Sequence, residues 1–161
     1  MKWQKAYTLI EILVVLTIIA ILFGFGYISY RDFQRRQALF GAAKVLQGDL
    51  RLAQEQALAG YKPDGCTQNL DYYSFQVVQI DVNKNGYNLI ANCGSQTVTV
   101  KGPVTPPPEI LISMPNPNPI RFNVLGRGTN AITSPATTIT LTQSVTNNTV
   151  SVVVTPEGEI K

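Results

Sequence analysis

The residues whose types and spacing could support chemistry are a pair of cysteines, a run of oxygen-bearing side chains and a glutamate within an apolar segment. Cys66 and Cys93 are the two cysteines of the chain, and they flank one predicted hairpin. An isolated pair in a small domain outside the cytoplasm predicts a disulfide, with two buried free thiols as the alternative. Zinc is not indicated, because the sequence has no histidine and no second cysteine pair.

The run Asp81-x-Asn83-x-Asn85-Gly86 matches the opening half of a calcium-binding loop. Position twelve of that loop is Asn92, whereas the full motif requires a bidentate glutamate. The same residues form a strong turn signal between two apolar runs. A hairpin turn is therefore the favoured interpretation of Asp81–Asn85, and a calcium site is the alternative.

No catalytic constellation is found in the sequence. Histidine is absent, the cysteines are expected to be oxidised, and no glycine-rich phosphate loop follows a strand. The sequence therefore predicts a protein that is not an enzyme, with no cofactor and no metal.

The charges of residues 60–161 cancel, which argues against nucleic acid as a partner. Only two arginines, Arg121 and Arg127, lie in this region, and a neutral domain lacks the broad basic field that phosphate binding usually needs. The basic residues are Lys62, Lys84, Lys101, Arg121, Arg127 and Lys161, and the acidic residues are Asp64, Asp71, Asp81, Glu109, Glu157 and Glu159. DNA binding by the two arginines is the alternative.

Glu11 is the only residue between Ala6 and Tyr30 whose side chain is charged at neutral pH. Residues 7–30, about 24 in all, would form a helix of about 36 Å, which exceeds the membrane's hydrocarbon core of about 30 Å. The alternatives are a buried core helix and an ordinary secretory signal, but the small residue Ala6 precedes the apolar run instead of following it. A carboxylate in such a segment indicates a functional site. The alternative is that the Glu11 side chain simply extends to the membrane–water interface.

The segment Lys5-Ala6-Tyr7-Thr8-Leu9-Ile10-Glu11-Ile12-Leu13-Val14-Val15 resembles the class III signal of the type IV prepilin family, which includes pilins, minor pilins and type II secretion pseudopilins. The resemblance implies cleavage between Ala6 and Tyr7 by prepilin peptidase and N-methylation of Tyr7. It also implies that Glu11 acts in assembly, paired with the Tyr7 amine of a filament neighbour. Ala6 departs from the glycine that usually precedes the cut, although it is small enough for cleavage to be expected.

The same resemblance implies where the protein is found and what it contacts. It implies a single-pass protein of the cytoplasmic (inner) membrane with its C-terminal domain outside, which later enters an extracytoplasmic filament. The implied partners are other pilin or pseudopilin subunits, the prepilin peptidase, the inner-membrane assembly platform and, before assembly, membrane lipid.

The helical pattern continues beyond Tyr30 without a proline. Apolar residues at spacings of three and four predict one buried face, and the helix is expected to end near Ala59 and Gly60. That face consists of Leu39, Ala43, Leu46, Leu50, Ala53 and Ala57, while the charged residues Lys44, Asp49, Arg51 and Glu55 are expected to face solvent or neighbouring subunits.

Beyond Gly60 the pattern changes to short β-runs rich in β-branched residues, with prolines that confine some strands to edges. The predicted strands are 73–80, 87–93, 97–101, 110–114, 120–124, 137–142 and 149–155, with a turn at Asn147 and Asn148. The predicted fold class is α+β and pilin-like: one long N-terminal helix packed on a small antiparallel β-domain. The predicted division is a leader (1–6), a transmembrane half of the helix (7–30), an amphipathic half (31–59) and a β-rich globular domain (60–161).

The succession of strands that ends in Thr155-Pro-Glu-Gly-Glu-Ile-Lys161 resembles the GspH/FimT type of minor pilin or pseudopilin. The predicted function is a structural subunit of a type IV pilus or type II secretion pseudopilus, in a minor, priming or tip position. A major pilin and a signal-anchored extracytoplasmic binding protein that does not polymerise are the alternatives.

Overall fold

The computed structural model describes residues 8–161 except 83 and 135, and it describes residues 25–29 by their backbone alone. Ala6 and Tyr7, the predicted cleavage site, lie outside the described residues. Tertiary contacts divide the chain into two compact units, Met1–Arg36 and Gln37–Lys161. A long helix followed by an antiparallel β-domain confirms the predicted α+β class.

In the described chain one helix precedes seven strands, and each predicted strand is present with bounds that differ by at most three residues. The elements are α1 (Leu9–Ala59), β1 (Tyr72–Asp81), β2 (Lys84–Cys93), β3 (Gln96–Val104), β4 (Ile110–Ile112), β5 (Ile120–Asn123), a 3-10 turn (Val124–Gly126), β6 (Thr137–Gln143) and β7 (Thr149–Val154).

The predicted apolar face of α1 is buried in the second unit, which confirms the spacing argument. Its members Leu39, Ala43, Leu46, Leu50, Ala53 and Ala57 are each at most 4% exposed. They belong to the same core as Phe75, Ile120 and Ile139 from the strands. Burial of this face supplies most of the free energy that holds the helix on the sheets, because an isolated helix gains little from propensity alone.

The helix ends where the sequence predicts, at Ala59, with Gly60 in the left-handed region at φ +62°. The Gly60 N–H donates to the Ala57 carbonyl (3.1 Å), and the Tyr61 N–H donates to the Gln56 carbonyl (3.0 Å). These are the two bonds of a Schellman cap, and they satisfy carbonyls that the last helical turn leaves without partners.

The first sheet has the strand order β3-β2-β1-β5 with antiparallel pairing throughout. Alternate residues of β1, Tyr73, Phe75 and Val77, face the core and are at most 2% exposed. In register they oppose Ala91, Leu89 and Tyr87 of β2, so both strands contribute the same face to the core.

The second sheet has the order β4-β6-β7 and is also antiparallel. Ile139 of β6 opposes Val152 of β7, and both side chains are fully buried. A turn with Asn147 at φ +54° joins these strands, as the sequence predicts.

The prolines act as predicted. β4 and β5 are short edge strands, and Pro103 lies in β3, which is the other edge strand of the first sheet.

The turn between β1 and β2 is tighter than the predicted run Asp81–Gly86. Asp81 pairs with Lys84, so Asn85 and Gly86 belong to β2. Gly86 allows β2 and β3 to approach each other closely, because a Cβ at this position would lie 2.6 Å from the Val104 carbonyl oxygen of β3. The hairpin interpretation is confirmed, with the glycine inside the strand instead of in the turn.

Candidate assembly segment and helix anchor

Thr8 caps the start of α1 and brings Glu11 into the first helical turn. The Glu11 N–H lies 3.3 Å from Thr8 Oγ1 and 3.1 Å from the Thr8 carbonyl oxygen. This satisfies an amide that a helix N-terminus otherwise leaves without a partner. Sequence reasoning missed Thr8 as a cap, although Thr8-Leu9-Ile10-Glu11 has the spacing of a capping box, in which threonine precedes glutamate by three.

The apolar side chains that follow Thr8 are exposed. Their exposed fractions run from 42% to 83%, and Glu11, also exposed, is the one titratable residue among positions 8–24. The exposed apolar residues are Leu9, Ile10, Ile12, Leu13, Val14, Val15, Leu16, Ile18, Ile19, Ile21, Leu22 and Phe23. A continuous apolar surface of this extent is a feature of interaction sites, because it is costly to leave in water.

Among the residues that the structure describes, none of the helices is both long enough and apolar enough for a membrane crossing.

Asp49 contradicts the expectation that it faces solvent: it is only 6% exposed. Its Oδ1 lies 2.6 Å from Lys101 Nζ of β3, and its Oδ2 accepts a 2.7 Å hydrogen bond from Tyr87 Oη of β2. These partners compensate the loss of hydration of the carboxylate. The three side chains, which we call the helix anchor, join α1 to two strands of the first sheet.

The helix anchor raises the pKa of Tyr87 well above its usual value. Burial of the hydroxyl is the main cause, and the hydrogen bond to Asp49 and its negative charge add to it. Sequence reasoning missed the anchor, although Asp49 follows Leu46 by three and precedes Ala53 by four, which places it at the margin of the buried face.

Cys66 and Cys93 form a disulfide, with Cα atoms 5.9 Å apart. The bond joins the segment after the helix to the end of β2. Neighbouring side chains reinforce the contact: the Gly94 N–H donates to Asp71 Oδ2 (2.9 Å), and the Ser95 N–H donates to Gln68 Oε1 (2.9 Å). The segment between α1 and β1 is therefore fixed covalently and by hydrogen bonds to the β2–β3 turn.

The geometry around Asp81 is that of a hairpin. Asp81 Oδ1 accepts from the Val82 N–H (2.7 Å), and Asn85 Nδ2 donates to the Ile112 carbonyl (2.7 Å). Asn92 pairs with Tyr72, at the opposite end of the hairpin from the Asp81–Lys84 pair. The residues at positions one and twelve of the candidate calcium loop therefore lie far apart. No group of three or more His, Cys, Asp or Glu side chains suited to a metal is found in the described part of the chain.

Arg121 and Arg127, the arginines weighed for DNA binding, differ in their surroundings. The Arg121 guanidinium lies 4.9 Å from the centre of the Tyr72 ring, a cation–π contact across the β1–β5 pair. Arg127 is exposed and follows the 3-10 turn.

Residues 1–27 match the family model of the prokaryotic N-terminal methylation motif. This segment is the class III signal of type IV prepilin-like proteins, as the sequence resemblance predicts. The motif supports a type IV pilin-like protein and thereby implies a structural subunit. Searches of curated proteins and of solved structures gave no match.

Proposed function

We propose that the chain is a minor, priming or tip, subunit of a type IV pilus or of a type II secretion pseudopilus. The observation that carries the proposal is Glu11, the one carboxylate of the exposed apolar run 9–23, which lies within the N-terminal methylation motif. A carboxylate in apolar surroundings costs several kcal/mol unless a cation approaches it. The Tyr7 amine of the neighbouring subunit supplies that cation.

In this proposal prepilin peptidase cuts between Ala6 and Tyr7, and the new Tyr7 amine is methylated. The subunit is stored in the inner membrane by residues 7–30, with its C-terminal domain outside. The assembly platform then transfers it to a filament, where its apolar helix is covered by other pilin or pseudopilin subunits. Nucleic acid is not among the proposed partners, because the charges of residues 60–161 balance.

The minor position is supported by the resemblance of the strand pattern to GspH/FimT-type subunits. The α+β fold, with a helix buried along one face and a disulfide-linked β-domain, accords with a subunit that displays a small domain on a filament.

Intact mass spectrometry of sheared surface filaments tests the proposal. We expect a species that begins at Tyr7, carries one added methyl group and is much less abundant than the main subunit. Absence of the chain from the filaments, together with a membrane-fraction species that retains Met1–Ala6, would contradict assembly and favour the signal-anchored binding protein. A cleaved species that forms the bulk of the filament would instead identify a major pilin.

A further inference from the structure

The turn between β6 and β7 holds the only Asn-x-Ser/Thr triplet of the sequence, Asn147-Asn148-Thr149. Such a triplet, with any residue except proline in the middle, is the acceptor of N-linked glycans in surface loops of exported domains. Because so short a triplet also occurs by chance, the surroundings of Asn147 decide whether it suits a glycan.

The side chain of Asn147 is exposed, and within the described part of the chain its amide has no hydrogen-bond partner. Its φ of +54° lies in the left-handed region, which asparagine adopts more readily than most residues. Asn148 differs, because its Nδ2 donates to Thr146 Oγ1 (3.0 Å). Thr149 is exposed, and among the residues that the structure describes its hydroxyl also has no partner. The amide and the hydroxyl that define the triplet are therefore both accessible from solvent.

Gln143, only 1% exposed, holds the turn in place from the core side. Its Oε1 accepts from the Val145 N–H (2.8 Å) and from the Thr146 N–H (2.6 Å), and its carbonyl accepts from the Asn147 N–H (2.9 Å). Because these bonds use main-chain groups and a buried side chain, a glycan on Asn147 Nδ2 would break none of them.

β7 is an edge strand that lacks the usual protection of such edges. It ends the order β4-β6-β7, and Thr149–Val154 contains neither a charged residue nor a proline. Val153 bonds to Lys161 through both backbone groups (3.0 Å each). Ser151 opposes Thr140, whose carbonyl bonds to β4, so the backbone of Ser151 faces away from β6 and has no such cover in the described chain. Open edges favour pairing with other chains, and a hydrophilic glycan at Asn147 would shield this one.

We propose that Asn147 is an N-linked glycosylation site, with Thr149 as the hydroxyl residue that the transferring enzyme requires. Asn147 Nδ2 forms a bond to the anomeric carbon of a sugar that a membrane-bound polyprenyl diphosphate carries. The bond between this carbon and the diphosphate oxygen breaks, the diphosphate keeps the electron pair, and Nδ2 releases one proton. The site goes beyond the assembly function proposed above. It rests on the extracytoplasmic position of residues 60–161 and not on the role of Glu11.

Peptide mass spectrometry tests the site on the full chain, purified from membranes of the cells that produce it. Trypsin should release residues 128–161 as one peptide that contains the triplet, because Arg127 and Lys161 are consecutive basic residues. We expect this peptide to be heavier by one or more sugar residues, with fragment ions that assign the added mass to Asn147. An unmodified peptide from the wild type would overturn the proposal.

Two variants that lose the triplet and two that keep it give the matched comparison. Asn147→Asp and Thr149→Val should lose the added mass completely. Both should fold, because aspartate also tolerates a left-handed backbone and valine suits a strand. Asn148→Ala and Thr149→Ser should retain the added mass, because the triplet remains. Added mass in either of the first two variants, or its complete loss in either of the others, would overturn the assignment.

The same samples separate a failure of this site from a failure of the proposed function. An unmodified peptide from a chain whose cysteines are oxidised overturns the glycan alone, because the disulfide reports export to an oxidising compartment. An unmodified peptide from a chain whose cysteines are reduced contradicts the extracytoplasmic position as well. A glycosylated chain that is absent from sheared filaments supports the site and contradicts the assembly function.

Discussion

Lys101 Nζ lies 2.6 Å from Asp49 Oδ1, although 52 positions separate the two residues in the chain. Asp49 is almost buried, and the Lys101 side chain remains 43% exposed, so the pair lies at the boundary between core and solvent. Tyr87, on the neighbouring strand β2, donates a hydrogen bond to the other carboxylate oxygen of Asp49. Because both carboxylate oxygens of Asp49 are bonded to strand residues, these contacts hold α1 in position on the first sheet.

Removal of the Asp49 carboxylate should destabilise the second unit. In Asp49→Ala the Tyr87 hydroxyl loses its acceptor while buried, and we expect a loss of about 2 kcal/mol in the free energy of unfolding. Partial exposure of Lys101 keeps the loss below that of a fully buried pair. Denaturant unfolding of the full chain in detergent measures it. The exposed carboxylate of Glu55 on the same helix provides the control, since Glu55→Ala should change stability little. Equal stability of the two variants would contradict the role of the anchor.

Stability should fall at alkaline pH in a manner that depends on Tyr87. Its pKa is raised in the folded state above the ordinary value of 10.0, so the folded protein favours the neutral hydroxyl. The contribution of the neutral Tyr87 hydroxyl to the free energy of unfolding is fully present below pH 10. It decreases as the pH rises further, because the hydroxyl of the unfolded chain loses its proton at a lower pH than that of the folded chain. Tyr87→Phe should therefore show a shallower decline above pH 10 in denaturant midpoints. A residual slope is expected from Tyr73, whose pKa is also raised by burial. An unchanged slope in Tyr87→Phe would argue against the assignment.

Glu11→Gln should remove the proposed assembly contact without removing the apolar helix. The amide keeps the shape of the side chain and its place in the first turn but has no charge to pair with the Tyr7 amine of a neighbour. We expect unchanged amounts in the membrane fraction and loss from sheared filaments, both followed by immunoblotting. Glu55→Gln alters an exposed carboxylate of the same helix and should incorporate normally. Normal incorporation of Glu11→Gln would show that the charge is dispensable.

Loss of the disulfide should lower stability through the unfolded state. Cys66 and Cys93 are 27 positions apart, and closure of a loop of this length corresponds to about 3 to 4 kcal/mol. The double variant Cys66→Ser, Cys93→Ser should lose this amount in denaturant unfolding. Dithiothreitol should destabilise the wild type similarly and leave the double variant unaffected; an effect on both would indicate a cause other than the disulfide.

Gly48 and Gly60 should respond to alanine in opposite directions. Gly48→Ala should stabilise the protein by up to about 1 kcal/mol, because the site is helical and open. Gly60→Ala should destabilise it by about 1 kcal/mol, because φ +62° is strained for a residue with a Cβ. Paired thermal melts give both values. A shift of the same sign for both would contradict the capping role of Gly60.

Much of this fold follows from local spacing in the sequence. Leu39, Leu46 and Leu50 are buried because residues three and four apart share a helix face, and Gly60 ends the helix because it tolerates a left-handed backbone. The strands are predictable for a similar reason, because buried and more exposed side chains alternate along them. Glu11 can likewise be identified from the sequence alone, because it is the one charged residue in a long apolar run.

The tertiary structure decided what depends on residues far apart in the chain. Strand β5 pairs with β1 instead of with its sequence neighbour β4, and Asp49 is buried because Lys101 and Tyr87 meet it there. An apolar groove beside Gly41 is lined by residues of a helix, a loop and several strands that are far apart in the sequence. Such arrangements depend on the packing free energy of the whole domain, which no local pattern records, whereas helix faces and caps depend on neighbours within a few residues.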